Sequence, residues 1–198
     1  PSMKSLNAAL LYPGIAMIEY SKNWSVGRGT DAPFEQVGAA WLDGPRLAAY
    51  LNARGIPGVK VYATRFTPSA YYFANQTVDG VRFVVTDRNV FDSTRLGLEL
   101  CAALQELHPG KIDFSVNSKL IGHAATVGAL GKGEGAEAIR RNWRGGLANQ
   151  ASAYGRRPSG GENSPTEDDE RVYPEVRGRE PSGQRQTTRE MNQVDGSL

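Results

Sequence analysis

Apolar residues recur at helical spacing over 5–12, and Pro13-Gly14 behind them reads as a turn that stops a short helix. Residues 15–20 follow as an apolar run of strand length. Asp43 is placed to cap a helix that tolerates Pro45 in its first turn. Leu47, Ala48, Tyr50 and Leu51 form that helix's apolar face, and Gly55 ends it. Residues 59–64 alternate as a strand does, with Val59 and Val61 on one side and Lys60 and Tyr62 on the other. The β-branched and aromatic run at 81–87 predicts a further strand. Ser93 or Thr94 then caps a helix to about Leu107, ahead of Pro109-Gly110. Shorter helices are expected over 119–130 and 134–143. Strands alternating with helices over short connections predict an α/β fold, a small mixed sheet with flanking helices.

One stretch fits neither period. Residues 23–34 bring together Trp24, Gly27, Arg28, Gly29, Thr30, Asp31 and Phe34. Gly27 and Gly29 release the backbone for positive φ or close approach, so the loop, rather than a regular element, aims Arg28, Thr30 and Asp31. The plain alternative is a Gly-rich turn whose Arg28 and Asp31 pair only with each other.

Composition divides the chain. Apolar runs recur to about Trp143, whereas 144–198 is rich in Gly, Ser, Pro, Gln, Glu and Arg. Such a mixture buries too little apolar surface to offset its ordering entropy. The expectation is a folded domain over 1–143 and a disordered tail over 144–198. The tail mixes signs, with Glu167, Asp168, Asp169 and Glu170 against Arg156, Arg157, Arg177 and Arg179, so it is not a basic arm. A formal net charge of +2 with no basic cluster argues against nucleic acid. No apolar span of about 20 residues is present to cross a membrane. Pro1-Ser2-Met3 reads like the inside of a longer chain. The single cysteine, Cys101, falls in the apolar pattern of Leu96, Leu100 and Leu104, as a core thiol does.

Several chemistries lack their signatures. The Walker and dinucleotide glycine spacings are missing, as is a Gly-x-Ser-x-Gly elbow. His108 and His123 stand apart from other ligand types and read as surface or capping residues. Neither metal nor cofactor is expected. What remains suits a sugar: Trp24, Trp41 and Tyr62 as flat faces, Asp31 as an acceptor, Arg28 and Arg65 as planar forks for a carboxylate. Trp41, among Val37, Ala39, Ala40 and Leu42, reads more readily as core. Glu19 and Asp87 are carboxylates at expected strand ends.

The spaced runs Tyr12-Pro13-Gly14, Asn23 to Glu35, Val37-Gly38-Ala39-Ala40-Trp41, Arg65-Phe66-Thr67-Pro68, Gly80-Val81 and Val85-Thr86-Asp87-Arg88 together resemble the exo-acting peptidoglycan β-N-acetylmuramidase family. These are bacterial glycoside hydrolases that remove a terminal N-acetylmuramic acid from the non-reducing end of peptidoglycan fragments. The likeness runs from residue 1 to about Trp143. Members resemble two-part chains, a Rossmann-like catalytic domain followed by a smaller α/β auxiliary domain, and this sequence is similar to the second part only. The resemblance implies that the catalytic glutamate lies in the absent first part, that this chain holds no catalytic residue, and that the parent protein works outside the cytoplasm. Two departures stand out. The family's Gly-Ala-Pro-Trp reads Gly38-Ala39-Ala40-Trp41, which removes a φ constraint before the tryptophan. Gly145-Gly146 also begins the low-complexity stretch where the family continues into a basic helix, the kind of ending a truncated or frame-shifted gene gives.

On this basis Arg28 is expected to grip the lactyl carboxylate of muramic acid. Thr30 and Asp31 would bond hydroxyl or acetamido groups, Trp24 would stack, and Glu19 and Arg65 would complete the site. The ligand is a peptidoglycan-derived muropeptide or disaccharide. Two alternatives remain: a non-catalytic wall-glycan binding module, which the sequence upstream of Pro1 would distinguish, and an anion nest at 27–30. The saccharide expectation requires Arg28 and Asp31 to face an open cleft rather than seal against each other.

Overall fold

The computed structural model describes residues 3–154, with side chains to residue 146. Helix α1 (Leu6–Ile15) opens at Ser5, whose side chain accepts from the Ala8 amide. It runs through Pro13 and passes into a 3-10 turn at Ala16–Ile18. The turn expected at Pro13-Gly14 is therefore helical, and in place of the strand expected over 15–20 stand the helix end, the 3-10 segment and a turn at Glu19-Tyr20. Burial explains this: Ala8, Leu11, Ile15 and Ile18 are fully buried, so the helical spacing continues across the proline. Gly14, whose amide follows the missing donor of Pro13, donates to Ser93 Oγ at 2.9 Å.

Strands β1 (Gln36–Ala39), β2 (Val59–Phe66) and β3 (Val78–Val85) form a sheet in the order β1-β3-β2. Both pairings are antiparallel, where the pattern of alternating elements had suggested mixed directions. Strand β1 escapes sequence detection because four consecutive buried residues carry no alternation. Across β2, Val59 and Val61 face the core while Lys60 and Tyr62 are exposed, as the alternation predicts. The paired glycines Gly38 and Gly80 lie under the Phe66 ring, and a Cβ on either would come within 2.9 Å of it. The N–H and C=O of Val61 bond the side chain of Asn52 at 3.1 and 2.7 Å, which occupies polar backbone on an edge strand.

Helix α2 (Gly44–Ala53) is capped by Asp43 with Pro45 in its first turn, as expected. Helix α3 (Ser93–Leu107) is capped by Asp92, one residue before the expected cap. Ser93 is thereby freed to bond Gly14 and to donate to Leu11 O at 3.1 Å. Cys101 is fully buried on α3, and burial pushes its thiol pKa up to about 12, so it is a core residue. Short helices α4 (Ser118–Ile121) and α5 (Ala124–Gly131) precede α6 (Ala136–Tyr154). His123 stands at the N-terminal boundary of α5 without a side-chain bond to its backbone; its Nδ1 meets Thr126 Oγ1 at 2.8 Å, the same hydroxyl that takes the indole N–H of Trp143. Helix α6 continues beyond the domain end expected at 143; the remainder of the expected tail, 155–198, lies outside the described residues. Among the described residues no helix is long and apolar enough to cross a membrane.

His108 ends α3 with its ring 5.2 Å from Trp41. Burial, then the nearby Arg46 and Lys111 cations, depress its pKa below the usual imidazole range, although Asp43 opposes them. A group with a lowered folded pKa contributes stability that is present above its unfolded pKa and is lost as pH falls through the folded value. The urea midpoint is therefore expected to fall as pH drops from about 7 towards about 5.5. His108→Gln should flatten that limb; an unchanged slope would show that the loss arises elsewhere.

Candidate functional site

The stretch between the 3-10 turn and β1 is fixed at both ends. Ser25 and Gly38 exchange two backbone hydrogen bonds of 2.9 Å, and the Phe34 amide donates to Val26 O at 2.8 Å. Phe34 takes a φ of +65° and is fully buried, its ring meeting Tyr12 edge-on at 5.0 Å. Gly27 (φ +74°) and Gly29 (φ +81°) supply the positive φ the sequence pattern anticipates. Gly29 is also closely packed: a Cβ there would stand 2.5 Å from the Ala70 amide, in the β2–β3 loop. Ser69 joins the two loops, its amide and hydroxyl both donating to Gly29 O at 2.9 and 2.8 Å.

This frame aims Arg28 at Glu19. Arg28 Nε lies 2.8 Å from Glu19 Oε1, and Nη2 reaches the same oxygen. The guanidinium also stands over the Phe34 ring (4.9 Å) and the Tyr71 ring (5.4 Å), a cation–π arrangement that fixes its plane. Among the described residues Arg28 Nη1 makes no hydrogen bond. Glu19 follows the 3-10 turn, and its neighbour Tyr20 is held by Asn117, whose Oδ1 accepts from the Tyr20 amide at 2.8 Å while its Nδ2 donates to Ser21 Oγ at 2.9 Å. Asn117 is fully buried, so this clasp is rigid.

The ion pair borders a cavity of about 260 Å³ whose lining includes Glu19, Tyr20, Trp24, Arg28, Tyr71 and Tyr72. Arg28 and Tyr71 also border a second concavity of about 500 Å³ that contains Lys4, Thr30, Asp31 and Ser69. The guanidinium thus faces open space on a surface of mixed charge and exposed phenol rings, the composition of a site for a polar ligand that also has apolar faces. Among the described residues no group of three or more His, Cys, Asp or Glu side chains gathers to hold a metal.

The family model described as "Exo-beta-N-acetylmuramidase NamZ, C-terminal" matches residues 10–153, well over half of the chain. The chain belongs to this family. It is 34% identical over 114 residues to the peptidoglycan beta-N-acetylmuramidase NamZ of Bacillus subtilis strain 168, which covers 58% of this chain and 27% of that protein. The chain thus spans about a quarter of the length of that relative. A solved DUF1343 family protein from Bacteroides fragilis shares the fold with a TM-score of 0.51 at 20% identity, covering 62% of this chain and 37% of its own. The NamZ C-terminal match runs on through α6 to residue 153, past the end expected near Trp143.

In this NamZ-family domain the expected site residues separate into groups. Arg28 and Glu19 meet directly, and Asp31 is exposed on the second concavity with Arg28 but does not pair with it. Thr30 is near them, yet its hydroxyl donates to Gly27 O (2.6 Å) and accepts from the Ala32 amide (3.1 Å) and Gln36 Nε2 (2.9 Å), so it shapes the loop. Trp24 borders the cavity but is only 1% exposed and stacks on Trp41 at 5.9 Å. It is a wall, without a free face for stacking. Arg65 lies elsewhere, paired across β2 and β3 with Asp79 at 2.6 Å beside Leu42 and Pro45. Its hydrogen bond to Asp79 lowers the Asp79 pKa. Asp87 accepts from the Asn89 amide in a local turn. The amides of Gly27, Thr30 and Ala32 are used within the loop, which breaks the row of free N–H groups an anion nest needs. Tyr20, Tyr71 and Tyr72 also line the cavity and are not among the expected site residues; the sequence signal for the last two is an aromatic run inside an inter-strand loop rich in turn residues.

Proposed function

We propose that this chain is the C-terminal portion of an exo-β-N-acetylmuramidase and that its Arg28 loop binds the terminal N-acetylmuramic acid of peptidoglycan fragments. The observation that carries the reading is Arg28: an arginine oriented by Glu19 and two rings, with Nη1 unengaged among the described residues, bordering two concavities. Muramic acid differs from glucosamine by its lactyl carboxylate, and a guanidinium is the group that recognises a planar carboxylate at fixed geometry. Asp31 and Lys4 border the neighbouring concavity and suit the hydroxyl and acetamido groups of the same ligand. In this reading hydrolysis needs a catalytic carboxylate supplied by another part of the parent protein, and that protein acts on wall material outside the cytoplasm.

Calorimetric titration of the intact chain with N-acetylmuramic acid and with N-acetylglucosamine tests the reading. The muramic sugar should bind at least about tenfold more tightly, the lower end of what a hydrogen bond to a charged group contributes. Equal affinities would remove the carboxylate assignment.

A further inference from the structure

The loop joining β2 to β3, residues 67–77, contains three of the four described non-glycine residues with positive φ: Tyr71 (+64°), Phe73 (+64°) and Asn75 (+61°). The left-handed region costs an ordinary residue about 1 kcal/mol or more, and two of these three are aromatic. The loop is held against that cost at several points. Asn75 N donates to Pro68 O at 2.7 Å, Gln76 N to Phe73 O at 2.9 Å, Ser69 is fastened to Gly29, and the threonine hydroxyls at 67 and 77 meet at 2.9 Å. Phe73 packs against the core. Its neighbours do the opposite: Tyr71 is 69% and Tyr72 40% exposed, and both border the Arg28 cavity, with Tyr20, 52% exposed, on the same rim. A strained backbone that turns two phenol rings outward beside a cavity is poorly explained by stability alone.

We propose that Tyr71 and Tyr72 are the saccharide platform of the site, stacking on the apolar C–H face of a pyranose while Arg28 engages its carboxylate. This rests on the saccharide reading above and assigns the stacking role expected of Trp24 to a loop that the sequence pattern did not single out. Tyr71 has its ring beside the guanidinium and remains largely exposed, and Tyr72 borders the same cavity, so the two phenols offer an apolar surface next to Arg28. A phenol ring is apolar in body and polar at its tip, so it covers C–H groups while its hydroxyl stays solvated. Gly29 is the positioning residue: a side chain there would strike the Ala70 amide at 2.5 Å and push the platform off the cavity.

Ring stacking and carboxylate recognition separate experimentally because only one of them senses the lactyl group. Tyr72→Ala should weaken N-acetylmuramic acid and N-acetylglucosamine by the same factor, about five- to tenfold, as the worth of an aromatic contact implies. Tyr71→Ala should weaken both by at least that factor, the muramic sugar more, because the Arg28 guanidinium also loses a ring that holds it. Tyr71→Phe should bind nearly as wild type, whereas Arg28→Gln should weaken the muramic sugar alone. Gly29→Ala should weaken both sugars, because the clash with Ala70 displaces the Tyr71 ring, with thermal melting confirming that each variant is folded. Wild-type binding that both alanine variants leave unchanged, or a Tyr71→Phe loss equal to that of Tyr71→Ala, overturns the platform while the saccharide reading stands. Failure of the wild-type chain to bind either sugar overturns both.

Discussion

Gly14→Ala is expected to cost about 3 kcal/mol of folding stability, seen as a lower urea midpoint at an unchanged slope. In an exposed helix the same change would stabilise by up to about 1 kcal/mol, because alanine is the better helix former. Here the added Cβ would fall 2.1 Å from the carbonyl oxygen of Ser93 and 3.0 Å from the amide of Gly97. Both are backbone atoms in the first turns of α3, so no flexible side-chain end can yield. Moving them would also disturb Ser93 Oγ, which bonds the Gly14 amide and Leu11 O. Gly97 faces the same contact from the other helix, with a Cβ position 2.7 Å from Gly14 Cα. Gly128, in α5, meets nothing within 4 Å, so Gly128→Ala should leave the midpoint unchanged or raise it. Two glycine-to-alanine changes in helices should thus differ in sign, and equal effects would show that propensity rather than packing governs the α1–α3 crossing.

That crossing also explains where the sequence misleads. Pro13-Gly14 is strong local punctuation for a turn, yet the pair lies inside α1 because Gly14 allows close approach to α3 and Ser93 of α3 bonds the Gly14 amide and Leu11 O. Local rules cannot see a partner that arrives 79 residues later. By contrast Asp43, Pro45 and Gly55 mark α2 correctly, since caps and turns satisfy backbone groups within a few residues. The site shows the same division. Gly27 and Gly29 identify a shaped loop from sequence alone, and Arg28 is where that loop puts its charge. That Arg28 meets Glu19 rather than Asp31, and that the rings beside it are Tyr71 and Tyr72, depends on the Asn117 clasp and the Ser69–Gly29 fastening. Both are tertiary contacts without a local sequence signature. Arg65 illustrates the converse: residue type suggested a second fork, but its strand register commits it to Asp79.

Arg28→Lys should reduce affinity for N-acetylmuramic acid by about tenfold to thirtyfold and leave N-acetylglucosamine nearly unaffected. Formal charge is conserved, so the loss would be one of geometry. The guanidinium spends Nε and Nη2 on Glu19 and keeps Nη1 for a second acceptor. An ammonium is a single point charge, and the Glu19 carboxylate, only 12% exposed, would capture it. The lysine would also lose the planar contact with the Phe34 and Tyr71 rings. Glu19→Gln then provides the complementary measurement. Removing the anion that competes for Arg28 should strengthen binding of the anionic sugar at low salt, with the gain fading as ionic strength rises, and should lower the melting temperature because the half-buried cation loses its partner. If Arg28→Lys weakened both sugars equally, Arg28 would be a scaffold for the loop, and the discrimination between muramic acid and glucosamine would have to lie outside it.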